Sequence, residues 1–369
     1  MAQDVPKIRV LVVDDSTVVR RFLTNAISTD PTLEVVGTAA NGVIALQKIA
    51  SLKPQVVTMD IEMPEMSGLQ ALAAIRRTNP TLPVIMVSTL TERGAVATLE
   101  ALALGATDYI TKPSTLTASG EAEREHFVRD LLPKLRGLGG PRRMAAVKVA
   151  TPAAPGAVQP LVRRSARIEI VAIGVSTGGP NALAELIPAL PADFPVPIVI
   201  VQHMPPLFTR LLAERLDDKS AIRVKEGSVG EPLANGLAII APGGNHMVVE
   251  RGAAGNHVGL NSGPLENSCR PAVDVLFRSV SEIYGAGVLA IVMTGMGQDG
   301  LHGCEVVRQR GGHVFVQDEK TSVVWGMPGF VAEAGLADEI LPLNQLAPAI
   351  VRSVRVGRDA ARVAGGGKG

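Results

Sequence analysis

The chain has 369 residues, 46% of them apolar and only 3% aromatic, with a formal net charge of +1. That length exceeds what one hydrophobic core comfortably serves, so two α/β domains are expected, and the near-neutral charge gives no global attraction to nucleic acid or membrane. The two cysteines, Cys269 and Cys304, exclude a disulfide framework and suit a reducing compartment.

The first part alternates strand and helix patterns. Ile8–Val13 reads as a buried strand and Val18–Ile27 as a helix, followed by a strand over Leu33–Gly37 and a helix over Gly42–Ala50. Val56–Met59, Val84–Ser88 and Asp108–Thr111 are strands, separated by helices over Leu69–Ile75 and Thr91–Leu104. A helix from about Glu121 to Leu135 closes the set. Repeated β-α units imply an open parallel sheet with helices on both faces, whose ligands bind at the carboxyl ends of the strands. No apolar run approaches membrane-spanning length, and Asp14 and Asp15 come too early for a signal peptide. No membrane insertion is expected, and the cytoplasm is the expected location.

Charged and hydroxyl residues stand at those strand ends: Asp14 and Asp15 after the first, Asp60 after the third, Ser88 and Thr89 after the fourth, Lys112 after the fifth. Single acids at strand ends often serve as helix N-caps. A full set at matched ends instead suggests a site, because clustered carboxylates repel one another unless a cation joins them. Oxygen ligands suit Mg2+ shared with a phosphate. Asp60 is then a candidate phosphoryl acceptor, with Lys112 neutralising the phosphate and Ser88 sensing it.

The motifs Val12-Val13-Asp14-Asp15-Ser16, Met59-Asp60-Ile61-Glu62-Met63-Pro64 and Thr111-Lys112-Pro113 make residues 7–135 resemble a two-component receiver domain of flavodoxin-like fold. The resemblance implies phosphorylation at Asp60, Mg2+ bound by Asp15 and Asp60 with Asp14 in support, and the backbone carbonyl of Glu62 as a further ligand. It also makes Ser88 and Tyr109 the switch residues, and implies a chemotaxis-type histidine kinase as phosphodonor.

Between Lys134 and Arg167 the sequence carries eight basic residues and no acid, with Gly, Pro and Ala in the middle. Residues 136–167 read as a basic linker without a core. A basic run can contact nucleic acid, but no aromatic residue is present to stack a base and no helix-turn-helix pattern follows. No nucleic-acid partner is expected.

The remainder, residues 168–356, alternates again, with a flexible tail expected at 357–369. Ile168–Val175 ends in Ser176-Thr177-Gly178-Gly179-Pro180, and the apolar spacing after it is helical. Val196–Val201 ends in Gln202-His203, and Phe208–Leu216 is amphipathic. Residues Ile222–Leu260 read as a hairpin-rich insertion, and Pro271–Tyr284 as a helix opened by Pro271. Val288–Met293 precedes Thr294-Gly295-Met296-Gly297-Gln298-Asp299-Gly300; Val314–Val316 is a strand and Gln345–Val354 a closing helix. A mostly parallel, doubly wound sheet is expected.

The strand-to-helix turn at Ser176 offers either an anion cradle or a nucleophile beside oxyanion donors. There is no phosphate-loop lysine. His203 and Asp299 follow other strands of the same sheet, so a hydroxyl, a base and an orienting acid can meet. Taken singly, His203 could be structural and Asp299 an N-cap. Cys269 and Cys304 read as small core or pocket residues, and His246 as a possible pocket residue.

Four ordered segments carry a second resemblance: Ile173 to Pro180, Gln202 to Pro205, Arg270 to Phe277 and Thr294 to Gly300. They resemble the catalytic domain of protein-glutamate methylesterases of the CheB type. The resemblance implies Ser176 as nucleophile, His203 as base, Asp299 as orienting acid, the Met296 N–H as oxyanion donor, and Thr177 and Met296 lining the cleft. It further implies hydrolysis, without a cofactor, of glutamate γ-methyl esters and deamidation of glutamines on methyl-accepting chemoreceptors. The unphosphorylated receiver is expected to cover the cleft. The rival reading is a non-enzymatic response regulator whose second domain binds a protein partner.

Overall fold

The computed structural model describes residues 6–113, 120–140 and 167–356, which fall into two compact units on either side of residue 142. The basic middle of the expected linker and the expected tail lie outside the described residues.

The first unit runs β1 (Ile8–Val13), α1 (Thr17–Ser28), β2 (Leu33–Ala39), α2 (Gly42–Leu52), β3 (Val56–Asp60), α3 (Gly68–Thr78), β4 (Val84–Ser88), α4 (Glu92–Ala103), β5 (Asp108–Thr111) and α5 (Glu121–Gly139). Its sheet has the order β2-β1-β3-β4-β5, every pair parallel. Val10, Val12, Val56, Ile85 and Val87 are buried together under Leu23 and Ile27 of α1 and Phe127 and Leu131 of α5. The helices start where a short polar side chain takes up an otherwise unpaired N–H: Ser16 accepts from Val19, Asn41 from Ile44, Ser67 from Gln70 and Thr91 from Gly94.

Helix α5 extends beyond the expected end at Leu135 to Gly139. The basic composition that suggests a linker from Lys134 onward is misleading at its start, because two of those cations are tied into the unit. Lys134 Nζ donates to Asp108 Oδ2 at 2.7 Å and Arg136 Nη1 to Asp30 Oδ2 at 2.9 Å. Leu135 is fully buried, and a Cβ at Gly139 would lie 2.3 Å from the Ile8 side chain. The last turn therefore belongs to the packed body.

The second unit runs β6 (Ile170–Val175), α6 (Gly179–Leu186), β7 (Ile198–Gln202), α7 (Pro206–Asp217), β8 (Arg223–Glu226), β9 (Leu237–Ile240), β10 (His246–Gly252), β11 (Gly255–Asn261), α8 (Val273–Tyr284), β12 (Val288–Val292), α9 (Leu301–Gln309), β13 (His313–Gln317), α10 (Met327–Glu333), β14 (Glu339–Leu341) and α11 (Leu343–Arg355). Seven strands form a sheet in the order β14-β13-β12-β6-β7-β9-β8, and all its pairs are parallel. The strands have near-continuous apolar sequences because both faces are buried. Strand order reverses between β6 and β12, the place where such sheets open a crevice at their carboxyl edge.

The stretch expected to be hairpin-rich divides in two. β10 and β11 pair antiparallel as a separate ribbon, whereas β8 and β9 join the main sheet in parallel. The ribbon buries Met247, Val249 and Val258 in one cluster with Leu276, Phe277 and Val280 of α8. Helix α8 itself begins at Val273 rather than Pro271. Its first N–H groups, from Val273 and Asp274, are held by the carboxylate of Asp299, which sets the start of the helix by where that acid stands.

Candidate active site and phosphoacceptor site

In the first unit the carboxyl edge of the sheet gathers Asp14, Asp15 and Asp60, with oxygens from all three within 4.8 Å of one another. Lys112, just past β5, places its Nζ 2.8 Å from Asp14 Oδ2 and 2.8 Å from Asp60 Oδ2. The other oxygens are oriented by backbone: Asp14 Oδ1 accepts from Ser16 N at 2.9 Å and Asp60 Oδ1 from Ile61 N at 2.8 Å. Burial pushes the Asp60 carboxyl up to about 6; Lys112 opposes this and the neighbouring Asp14 reinforces it. One ammonium does not compensate the cluster. Three carboxylate donors at this spacing, one exposed and two buried, fit a hard divalent cation such as Mg2+.

Ser88 ends β4 and is buried, its hydroxyl donating to Gly94 O at 3.1 Å. Tyr109 on β5 is buried as well, under Lys134, whose Nζ stands 5.6 Å from the ring centroid. The Glu62 side chain lies away from this cluster's lysine, pairing with Arg93 Nε at 3.2 Å on the surface.

In the second unit Ser176 follows β6 and His203 follows β7, and the strands are in register at Val175 and Gln202. The turn after Ser176 is a close backbone approach that only glycine permits. Gly178 has φ +77, and a Cβ at Gly179 would stand 1.9 Å from Gln202 Oε1. Gln202 Nε2 in turn donates to the carbonyl of Ser176 at 3.0 Å. Thr294, after β12, fixes the other side: its O accepts from Ser176 N at 3.0 Å and its Oγ1 donates to Thr177 O at 2.9 Å. Gln317 Oε1 anchors Thr294 N at 2.9 Å. The loop through Met296 is tied down by Gly326 N and Met327 N, both donating to Gly295 O. Thr177 is buried, whereas Ser176, His203, Cys269 and Met296 are each part-exposed.

His203 Nε2 donates to Asp299 Oδ2 at 2.8 Å. Asp299 is saturated: its Oδ2 also accepts from Val273 N at 2.7 Å, and its Oδ1 accepts from Asn267 Nδ2, Asp274 N and Gly300 N at 3.0 to 3.1 Å. Burial alone would raise its pKa, but the His203 bond and charge and the backbone N–H groups hold the carboxyl below the usual range. Asp299 thus caps α8 rather than the helix that follows it. Asp274 returns the arrangement, its Oδ1 accepting from Gly300 N at 3.0 Å and Gly303 N at 2.6 Å at the start of α9. Two buried carboxylates so exchange helix termini.

With Nε2 committed to Asp299, Nδ1 is the ring's free base position, and it faces Cys269 Sγ at 3.6 Å. Among the described residues the Ser176 hydroxyl forms no hydrogen bond with His203. Burial lowers the imidazole's affinity for a proton, but the Cys269 sulfur and the Asp299 carboxylate outweigh it and push His203 up to about 10. His246, a candidate pocket residue by sequence, is a buried structural link: its Nε2 bonds Pro264 O at 2.8 Å and its Nδ1 accepts from Ala272 N at 3.2 Å. Asn267 and Gln317 fall outside the sequence motifs, and Asp274 and Thr294 lie within them with no role assigned, since each acts on partners brought close only by the fold.

Two family models match the chain, one over each unit. The CheB methylesterase family model matches residues 171–350, and the response regulator receiver domain model matches residues 10–119. A protein-glutamate methylesterase/protein-glutamine glutaminase of Trichodesmium erythraeum is 50% identical over 95% of this chain and 99% of its own length. One from a Nocardioides species is 51% identical over 94% of this chain and 95% of its own length. The crystal structure of the Thermotoga maritima CheB methylesterase catalytic domain, 43% identical, superposes with a TM-score of 0.50 over 51% of this chain and 99% of that one. With a five-stranded parallel receiver unit ahead of a seven-stranded parallel methylesterase unit, this chain belongs to the protein-glutamate methylesterase/protein-glutamine glutaminase family.

Proposed function

We propose that the second unit, taken as residues 168–356, is a serine hydrolase that cleaves glutamate γ-methyl esters to methanol and glutamate, and glutamine side chains to ammonia and glutamate, on methyl-accepting chemoreceptors. The observation that carries this reading is the His203–Asp299 pair, fixed beside the Ser176 turn at the carboxyl edge of one sheet. Asp299 holds Nε2 protonated, so Nδ1 is the position that takes the Ser176 hydroxyl proton as Oγ attacks the γ-acyl carbon. In the free enzyme that contact is open, as catalytic hydrogen bonds commonly are before substrate binds. The developing oxyanion is met by backbone N–H groups of the turn and of Met296. The protonated ring then returns its proton to the leaving methoxide or amine, and water repeats the sequence on the acyl-serine. Thr177 braces the cleft through its carbonyl, and Met296 lines it.

In the first unit, taken as residues 7–135, Asp60 accepts a phosphoryl group from a histidine kinase of the chemotaxis type. Asp14, Asp15, Asp60 and the Glu62 carbonyl would hold Mg2+, which supplies charge neutralisation to the incoming phosphoryl group. Lys112 pairs with the product and Ser88 and Tyr109 respond to it, raising the hydrolase activity. No cofactor takes part in the hydrolysis itself, and the enzyme acts in the cytoplasm; among the described residues no helix is long and apolar enough to cross a membrane. Methanol release from methylated receptor, measured with and without a small acyl-phosphate donor, tests the reading. Release that is serine-dependent and donor-stimulated is expected; none from any methylated receptor would overturn it.

A further inference from the structure

We infer that Cys269 Sγ and His203 Nδ1 form a chelating site for a thiophilic divalent cation, Zn2+ above all, whose occupancy shuts off the hydrolase. The site stands on geometry alone; only its inhibitory consequence rests on the hydrolase reading.

Zinc bonds thiolate sulfur near 2.3 Å and imidazole nitrogen near 2.0–2.1 Å, which at a tetrahedral angle separates the two donors by about 3.6 Å. The separation between Cys269 Sγ and His203 Nδ1 is 3.6 Å. The outer shell is also in place. A zinc-bound histidine typically donates its other ring N–H to a carboxylate, which fixes the tautomer and aims the remaining lone pair. His203 Nε2 does this with Asp299 at 2.8 Å. Asp299 itself is unsuited to bind the ion directly, because both its oxygens are taken up by Asn267, His203 and the N–H groups of Val273, Asp274 and Gly300. Its part is to hold the ring.

The remaining tetrahedral positions fall to water, since Cys269 and His203 are both part-exposed. The donor set also selects the ion. One thiolate and one imidazole favour Zn2+ over Mg2+, whereas the acidic cluster Asp14, Asp15 and Asp60 offers only oxygen. Binding is a plain exchange: Cys269 Sγ and His203 Nδ1 give up to solvent the protons they carry, Zn–S and Zn–N bonds form, and nothing is oxidised or reduced. The cost to hydrolysis is direct. The metal occupies the Nδ1 lone pair, the one that has to receive the Ser176 proton.

The full-length protein, held in excess Mg2+ to fill the acidic cluster, is titrated with Co2+ and read by near-ultraviolet sulfur-to-cobalt absorption. Zn2+ is then measured by displacement of that signal. The band is expected in the unaltered protein and in Ser176→Ala, and is expected to vanish in Cys269→Ala and Cys269→Ser; Cys304 is fully buried and contributes none. Even outer-shell partners are worth about 10–100-fold in metal affinity, so loss of the sulfur ligand should weaken Zn2+ binding by at least about tenfold. In parallel, Zn2+ should stop methanol release from methylated receptor, and a zinc-selective chelator should restore it. A missing band, or one that survives in both Cys269 variants, overturns the site. Hydrolysis that continues with Zn2+ bound overturns the inhibition. A band in a protein that releases no methanol leaves the site standing and removes the hydrolase reading instead.

Discussion

The two units solve the same topological problem with opposite electrostatics. Each is a parallel sheet that delivers side chains from several strand ends to one carboxyl edge. In the first unit the delivered charges are under-compensated: Asp14 and Asp60 share one ammonium beside Asp15, and burial leaves Asp60 pushed up to about 6. In the second unit the charge is over-determined, since Asp299 accepts from three backbone N–H groups and two side chains and its carboxyl is held low. An under-compensated cluster changes when a cation or phosphoryl group arrives, which suits a switch. A saturated cluster has nothing left to reorganise, which suits preorganised catalysis.

The largest effect should come from removing the hydroxyl that the preorganised site serves. Ser176→Ala is expected to lower methanol release by about 10⁴–10⁶-fold while leaving the far-ultraviolet circular dichroism unchanged. Turnover that survived there and disappeared in Cys269→Ala would hand the nucleophile's part to the sulfur. Asp299→Asn comes next, at about 10⁴-fold in kcat, because an amide cannot both take the His203 N–H and carry the charge that steadies a protonated ring. It should also weaken the start of α8, where Val273 N and Asp274 N lose an anionic acceptor. A loss below tenfold would break the comparison, showing that saturation around Asp299 is structural only.

The first unit should answer an equivalent change with the opposite sign in stability. Asp60→Asn abolishes stimulation by a phosphodonor yet stabilises the receiver by roughly 1–3 kcal/mol at pH 7 without Mg2+, since a buried, repelled charge is removed. The sign follows from the folded carboxyl standing at about 6 against an ordinary 3.8. A raised pKa contributes stability fully below 3.8 and loses it as pH climbs through 6. The stabilisation in the variant should therefore shrink as the pH is taken below 6, and scanning calorimetry over that range checks it. A destabilised Asp60→Asn at pH 7 would show that Lys112 fully compensates the cluster.

What the sequence makes legible is the residue that terminates an apolar run. Asp14, Ser176 and His203 follow, and Asp60 ends, strands whose mostly apolar character announces a buried parallel sheet, while Lys112 and Asp299 stand in the segments after β5 and β12. The supporting residues have no such flag. Asp274 sits on a helix and Asn267 in a loop, and they meet Asp299 only because the sheet brings residues 25 and 32 positions apart together. Cys269 reads as a small core or pocket residue until its sulfur is found facing a ring nitrogen. Helix α10 and the three-residue strand β14 escape pattern reading because they are short. At the end of α5 the error runs the other way, with Lys134 and Arg136 looking like solvated linker charges although Asp108 and Asp30 hold them.

The smallest expected effect is a displacement along the pH axis, and it separates the two units most finely. In the proposed mechanism the base has to be neutral, so the acidic limb of kcat/KM is expected to report the protonation of His203 in the free enzyme. Burial alone would lower that limb below 6.5, but the Cys269 sulfur and the Asp299 carboxylate together push His203 up to about 10. Activity should therefore still be rising well above pH 7, with the limb on the alkaline side of the ordinary imidazole value. Stability should move the other way: the protonated ring favours the fold fully below about 6.5, and that contribution is lost as pH rises through about 10. The second unit is then most active where its histidine contributes least to holding it folded, whereas acidification relieves the first unit at Asp60. A limb at or below 6.5 would mean that burial outweighs Cys269 and Asp299, and that the saturated carboxylate orients the ring without charging it.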